Sequence, residues 1–140
     1  MRVFDFDGTI YDGDSTVDFF RFALARVPGV WKSLPRTVAA ALRYGLGRTS
    51  LEGFKEAFYG FLRAVPDLDG LLAAVWEERW AKVKPEVAAL VRPGDVIASA
   101  SPEFLLRCPA ERLGASLIAS AVDPATGALL GPNCRGAAKR

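Results

Sequence analysis

The sequence predicts an α/β fold, in which a parallel sheet flanked by helices is interrupted by a long helical insertion. Three observations carry this. Residues 2–6 form a short run of Val and Phe that passes directly into Asp7-Gly8-Thr9, the pattern of a buried strand ending in a tight turn. Val96-Ile97-Ala98-Ser99 is a second apolar run, ending in a hydroxyl and followed by a helix-start signal. Between the two the apolar residues recur at helical spacing and no convincing strand intervenes.

The first strand places Asp5 at its C-terminal end, and in open α/β sheets ligands bind in the crevice outside the carboxyl ends of the strands. Gly8, Thr9, Gly13 and the acids Asp7, Asp12 and Asp14 then form a loop. Asp14 or Ser15 caps a helix whose Val17, Phe19, Phe20 and Leu24 share a face, and Pro28-Gly29 end it. Amphipathic stretches follow at 30–46, 50–64 and 68–82, punctuated by Gly45, Gly47, Pro66 and Pro85. Arg92-Pro93-Gly94-Asp95 is the turn into the second strand. Ser101 and Pro102 then read as the N-cap and first residue of a helix reaching about Leu113. Residues 115–122 form a third strand, and Asp123-Pro124-Ala125-Thr126-Gly127 turns the chain toward Ala128-Leu129-Leu130.

A chain of 140 residues that is 51% hydrophobic buries one core rather than two, so the insertion is expected as a subdomain. The net charge of +2, without a long Lys/Arg run, argues against a nucleic-acid partner. No stretch is long enough to span a membrane, and no secretory leader is expected at the N-terminus. Cys108 and Cys134 make neither a disulfide framework nor, without any histidine, a zinc site, so a reducing cytoplasm is the expected location.

The absence of histidine also removes Ser-His-Asp and Cys-His catalysis, because both need an imidazole to move protons near neutral pH. Carboxylates must do any acid–base work, which turns attention to Asp5, Asp7, Asp12 and Asp14. Two carboxylates beside the burial-seeking Phe4 and Phe6 repel and are desolvated without a compensating cation, so a plain turn cap does not account for them. Cys134 to Arg140 has the Cys-x₅-Arg spacing of cysteine phosphatases, but lacks the preceding His and a helix N-terminus to stabilise the thiolate. The early acids do not match an EF-hand, whose terminal Glu is missing.

Three features stand in order: Phe4-Asp5-Phe6-Asp7-Gly8-Thr9, Ser99 after Val96-Ile97-Ala98, and Lys139 closing Asn133-Cys134-Arg135-Gly136-Ala137-Ala138-Lys139. With a helical insertion just after the first, the chain resembles the haloacid dehalogenase superfamily, in its phosphoserine phosphatase-like branch with a C1-type helical cap. The resemblance implies a Rossmann-like core from residues 1–14 and 92–140 and a cap from 15–91. It implies that Asp5 is a nucleophile forming an aspartyl-phosphate, and that Asp7 protonates the leaving oxygen and later activates water. It implies Mg²⁺ on the side chain of Asp5 and the carbonyl of Asp7. Ser99, with backbone N–H groups at Ala100 and in the Gly8-Thr9 turn, would bind the phosphoryl oxygens, and Lys139 would supply a cation. The acid at Asp7 favours phosphate over halide chemistry, since family dehalogenases lack it. Asp14 lies near where phosphoserine phosphatases read the substrate's amino group, although the helix-cap reading is favoured.

The expected substrate is a small phosphorylated metabolite, with phosphoserine among the options. Eight basic residues against two acidic ones over 21–64 would steer anions or simply face solvent, and Trp31, Tyr44, Phe54, Phe58 and Phe61 are expected to form the cap's own core. The family's fourth motif, which completes the Mg²⁺ site, has no counterpart before Arg140. Weak Mg²⁺ binding and a sheet edge open to self-association are expected in consequence. The alternative is a truncated, non-catalytic remnant that binds phosphate or a partner chain.

Overall fold

The computed structural model describes residues 2–130, so Lys139 and its motif, including Cys134, lie outside the described residues. Three parallel strands, β1 (Val3–Asp5), β2 (Val96–Pro102) and β3 (Ser116–Ser120), pair in the order β1-β2-β3. Asp5 stands opposite Ala98 and Val96 opposite Ser116. Among the described residues β1 and β3 each pair on one side.

Five helices lie between β1 and β2: α1 (Ser15–Arg26), α2 (Leu34–Gly45), α3 (Leu51–Tyr59), α4 (Leu68–Arg79) and α5 (Pro85–Ala88). A sixth, α6 (Glu103–Leu113), connects β2 to β3. The stretches expected as continuous helices are broken by 3₁₀ turns at Pro28–Ser33, Gly60–Ala64 and Trp80–Lys82. Pro35 explains the first break, because it removes an N–H and crowds the residue before it, so the α-helix restarts at Leu34.

Helix α6 begins one residue later than the sequence suggested. Ser101 does not cap it; β2 runs on past an irregularity until Pro102 pairs with Ser120, and Pro102 is the N-cap. Its far end is closed by Gly114, whose φ of 72° is the left-handed conformation that glycine adopts without a Cβ penalty. Within α6, Pro109 has no N–H to give the carbonyl of Leu105 four residues back. The indole N–H of buried Trp76, on α4, donates to that carbonyl at 2.8 Å instead. A backbone vacancy in one helix is thus filled by a side chain from the insertion.

The excursion leaves and rejoins the sheet at one place. The Asp12 N–H donates to the Lys82 carbonyl at 2.8 Å and the Lys84 N–H to the Ile10 carbonyl at 2.7 Å, around an antiparallel bridge between Tyr11 and Val83. One continuous apolar core joins the helices to the sheet: Phe6, Tyr11 and Trp76 meet with centroids 5.6 to 5.9 Å apart, and Phe19 and Phe20 pack on Phe61. The aromatics assigned to a core of the insertion therefore divide. Phe61 is buried and Phe58 packs on Phe20, whereas Trp31 and Tyr44 are exposed, because the face of α2 that turns inward carries the small residues Thr37 and Ala40.

Candidate active site

Asp5 ends β1, exposed, with one carboxylate oxygen accepting the N–H of Phe6 at 3.0 Å. The chain then folds tightly: the Phe6 carbonyl accepts from the N–H groups of Thr9, Ile10 and Tyr11, and the Gly8 N–H donates to the carbonyls of Tyr11 and Gly13. Neither backbone group of Asp7 takes part in this knot. Its side chain is half-buried and gripped at both oxygens. Oδ1 accepts the Ser15 N–H, at the start of α1, at 2.9 Å, and Oδ2 accepts the Ser101 hydroxyl at 2.6 Å. An ionised carboxylate offers about four lone-pair sites, so each oxygen keeps capacity for a further proton or donor.

Ser101 is the centre of a hydroxyl cluster. Its Oγ also accepts from Thr16 Oγ1 at 2.9 Å, and its backbone N–H donates to Ser99 Oγ at 3.1 Å. Ser99 itself is only 1% exposed. The Ala100 carbonyl accepts from Lys55 Nζ on α3 at 3.2 Å and from Ser120 Oγ at 2.8 Å. Asp7, Ser101, Thr16, Lys55, Tyr59 and Phe58 contribute to a cleft of about 270 Å³, which Asp14 and Ala100 also border. Burial, the largest influence, pushes the Tyr59 phenol well above its ordinary range, with the charges of Asp14 and Asp7 adding to it and a hydrogen bond with Thr16 opposing, so it stays neutral.

The structure brings Asp7, Asp14, Ala100 and Ser99 to one end of the sheet, with Asp5 at the strand tip rather than in the cleft wall. Asp14 is the N-cap of α1, accepting the N–H groups of Thr16 at 2.9 Å and Val17 at 3.2 Å. The N–H groups of Gly8 and Thr9, expected to face a ligand, are engaged within the loop in this structure. The Ser99 hydroxyl lies beneath the cleft, accepting from Ser101, and Ser101 stands at the cleft in its place.

Ser101 was missed as a site residue because its position before a proline reads as a helix cap. Lys55 reads only as one of many basic residues on a helix, and nothing in the sequence shows that it crosses to the sheet. Lys84, whose Nζ approaches the Gly8 carbonyl at 3.5 Å, is similarly silent.

A divalent cation has limited provision here. Among the described residues no three Asp, Glu, Cys or His side chains converge on a metal position. With the Asp7 carboxylate held by Ser15 and Ser101, the exposed Asp5 carboxylate and the Asp7 carbonyl are two oxygens at the strand end that a cation could use. Such a set fits Mg²⁺, which keeps several waters and takes one or two carboxylates together with substrate phosphate oxygens.

A family model described as haloacid dehalogenase-like hydrolase matches residues 3–140. No curated protein sequence matches the chain. Among solved structures, a protein of unknown function from Bordetella pertussis Tohama I is similar at 21% identity with a TM-score of 0.72, over 95% of this chain and 65% of that one. A HAD family hydrolase from Salmonella enterica subsp. enterica serovar Typhi is similar at 15% identity with a TM-score of 0.56, over 86% of this chain and 40% of that one. At these identities the likeness is one of fold, and the chain spans about two thirds or less of each.

Proposed function

Because the chain belongs to the haloacid dehalogenase-like hydrolase family, we propose that it hydrolyses phosphate monoesters of small metabolites through a phosphorylated Asp5. The helical excursion over 15–91 acts as a cap that closes the cleft. The observation that carries the reading is the grip on Asp7, which fixes a second carboxylate two residues beyond the strand-end Asp5 and at the cleft.

In the first half-reaction a carboxylate oxygen of Asp5 forms a bond to phosphorus as the ester P–O bond breaks, and the carboxylic acid of Asp7 gives its proton to the departing alkoxide. In the second, a water oxygen bonds to phosphorus and its proton passes to the Asp7 carboxylate. The acyl-phosphate P–O bond breaks, releasing inorganic phosphate and restoring Asp5. The Ser15 N–H and the Ser101 hydroxyl hold Asp7 in one orientation through both steps, which matters because misplacement by about 1 Å can cost on the order of 100-fold in rate. Mg²⁺, held by the Asp5 carboxylate and the Asp7 carbonyl, would supply neutralisation of the charge between nucleophile and phosphate. Phosphoserine is one candidate substrate; Lys55 and Asp14, a cation and an anion, both border the cleft.

The test is release of p-nitrophenol from p-nitrophenyl phosphate in Mg²⁺, comparing the chain with Asp5→Asn and monitoring folding of both by thermal melting. Mg²⁺-dependent turnover present only in the wild type is expected. Equal release by two equally folded proteins would remove Asp5 as nucleophile and the proposal with it.

A further inference from the structure

The charge and polarity of α2 and its flanks are arranged asymmetrically. From Phe19 to Leu51 there is no Asp or Glu, whereas Arg21, Arg26, Lys32, Arg36, Arg43 and Arg48 all lie in this stretch. Along the same segment large apolar side chains face outward: Trp31 is 56% exposed, Val38 50%, Leu42 64% and Leu46 71%. Residues three to four apart share a helix face, so Leu34, Val38 and Leu42 form one row, and Pro35, Ala39 and Leu42 the next. Together with Trp31 they line one shallow apolar groove. The opposite face of α2 is already used: Thr37 and Ala40 are buried, and Tyr44 stacks on Phe54 of α3 with centroids 5.4 Å apart. Arg36 and Arg43, seven residues apart and hence on one side of the helix, flank the apolar rows, with exposed Lys32 and Arg48 beyond each end.

We propose that this face of α2 docks on an anionic phospholipid surface. Outward apolar residues with a tryptophan at one end, on a segment whose charged residues are all cations, are the pattern of a helix that lies in the membrane interface: the apolar row enters the acyl boundary while arginine and lysine reach lipid phosphates. Among the described residues no helix is long and apolar enough to cross a membrane, so the protein lies on the surface rather than through it. A second copy is a poorer occupant, because two such faces brought together set Arg36 and Arg43 against like charges, and residues 19–51 contain no acid of their own to answer them. A soluble polyanion satisfies the cations but leaves the apolar row in water. The inference rests on α2 and its flanks and does not depend on the chemistry proposed for Asp5.

Co-sedimentation tests it, using vesicles of phosphatidylcholine alone and of phosphatidylcholine mixed with phosphatidylglycerol. Binding to the mixed vesicles only is expected, weakened by salt as surface electrostatics require. Leu42→Glu, and separately Arg36→Glu with Arg43→Glu, should each weaken it on the order of tenfold or more. These side chains are exposed, so thermal melting should be unchanged and serve as the folding control. A blue shift of tryptophan emission on binding should vanish in Trp31→Phe while sedimentation persists. Failure of the wild type to sediment with the mixed vesicles, equal sedimentation with both compositions, or indifference to both sets of substitutions overturns the proposal. So does a wild-type dimer that Leu42→Glu converts to monomer, which would make the face a contact between copies.

Discussion

The hydroxyl of Ser101 donates to the carboxylate of Asp7 across 2.6 Å, joining residues 94 positions apart in the chain. This bond ties the loop after β1 to the end of β2, and it makes a serine that sequence reading assigns to helix capping into a positioning residue for the proposed acid–base group.

Asp7→Asn should lower turnover of p-nitrophenyl phosphate by about 10² to 10⁴, the usual contribution of a general acid–base group. Ser101→Ala should lower kcat by roughly 10- to 100-fold, the equivalent of a hydrogen bond to a charged group, with KM changed less. Ser101→Thr keeps the hydroxyl and should restore most of the loss. A threonine variant no better than alanine would show that the volume at this position matters rather than the bond.

The Trp76–Pro109 relationship predicts a coupling. Trp76→Phe leaves the buried Leu105 carbonyl without its donor and should destabilise the chain by about 1 to 3 kcal/mol in urea unfolding. In a Pro109→Ala background the alanine N–H can take that carbonyl in the ordinary helical way, so the same substitution should cost clearly less. Additive costs would mean that the indole is held by packing alone.

Asp18 predicts an acid-sensitive contribution to stability. Burial works against its ionised form, but hydrogen bonds from Lys82 and Tyr11, both at 2.6 Å, together with the charges of Lys82 and Arg79, outweigh it and hold the carboxyl below its ordinary range. A folded value below the unfolded value of about 3.9 gives stability that is fully present above about pH 4 and is lost as pH falls through the folded value. Lys82→Met should therefore lower the melting temperature near neutrality by a few degrees, on the order of 1 kcal/mol, and the gap to the wild type should narrow below about pH 4. A gap that is the same at pH 3 and pH 7 would assign the effect to lost packing over the Tyr11 ring.

Much of the fold was legible because its signals are local. The two apolar runs that become β1 and β2 end in the polar residues that begin the site, Asp14 caps α1 through its own side chain, and Leu113 closes α6 where Gly114 follows. What was not legible depends on partners distant in sequence. The extension of β2 to Pro102 is imposed by pairing with β3, and it moves Ser101 from a helix cap to the cleft. The closure of the loop on itself, with the Gly8 and Thr9 N–H groups on the Phe6, Tyr11 and Gly13 carbonyls, is by contrast a local geometry that no residue type announces. Periodicity identified α2 as amphipathic, but it could not say that the small residues face inward and the large ones outward.

The pairing of Ile10 and Asp12 with Lys82 and Lys84 has an evolutionary consequence. Since the outgoing and returning strands of the excursion are neighbours, everything between them can lengthen, shrink or be exchanged without rethreading the sheet. Such a doorway lets the helices diversify while the carboxylate loop keeps its shape.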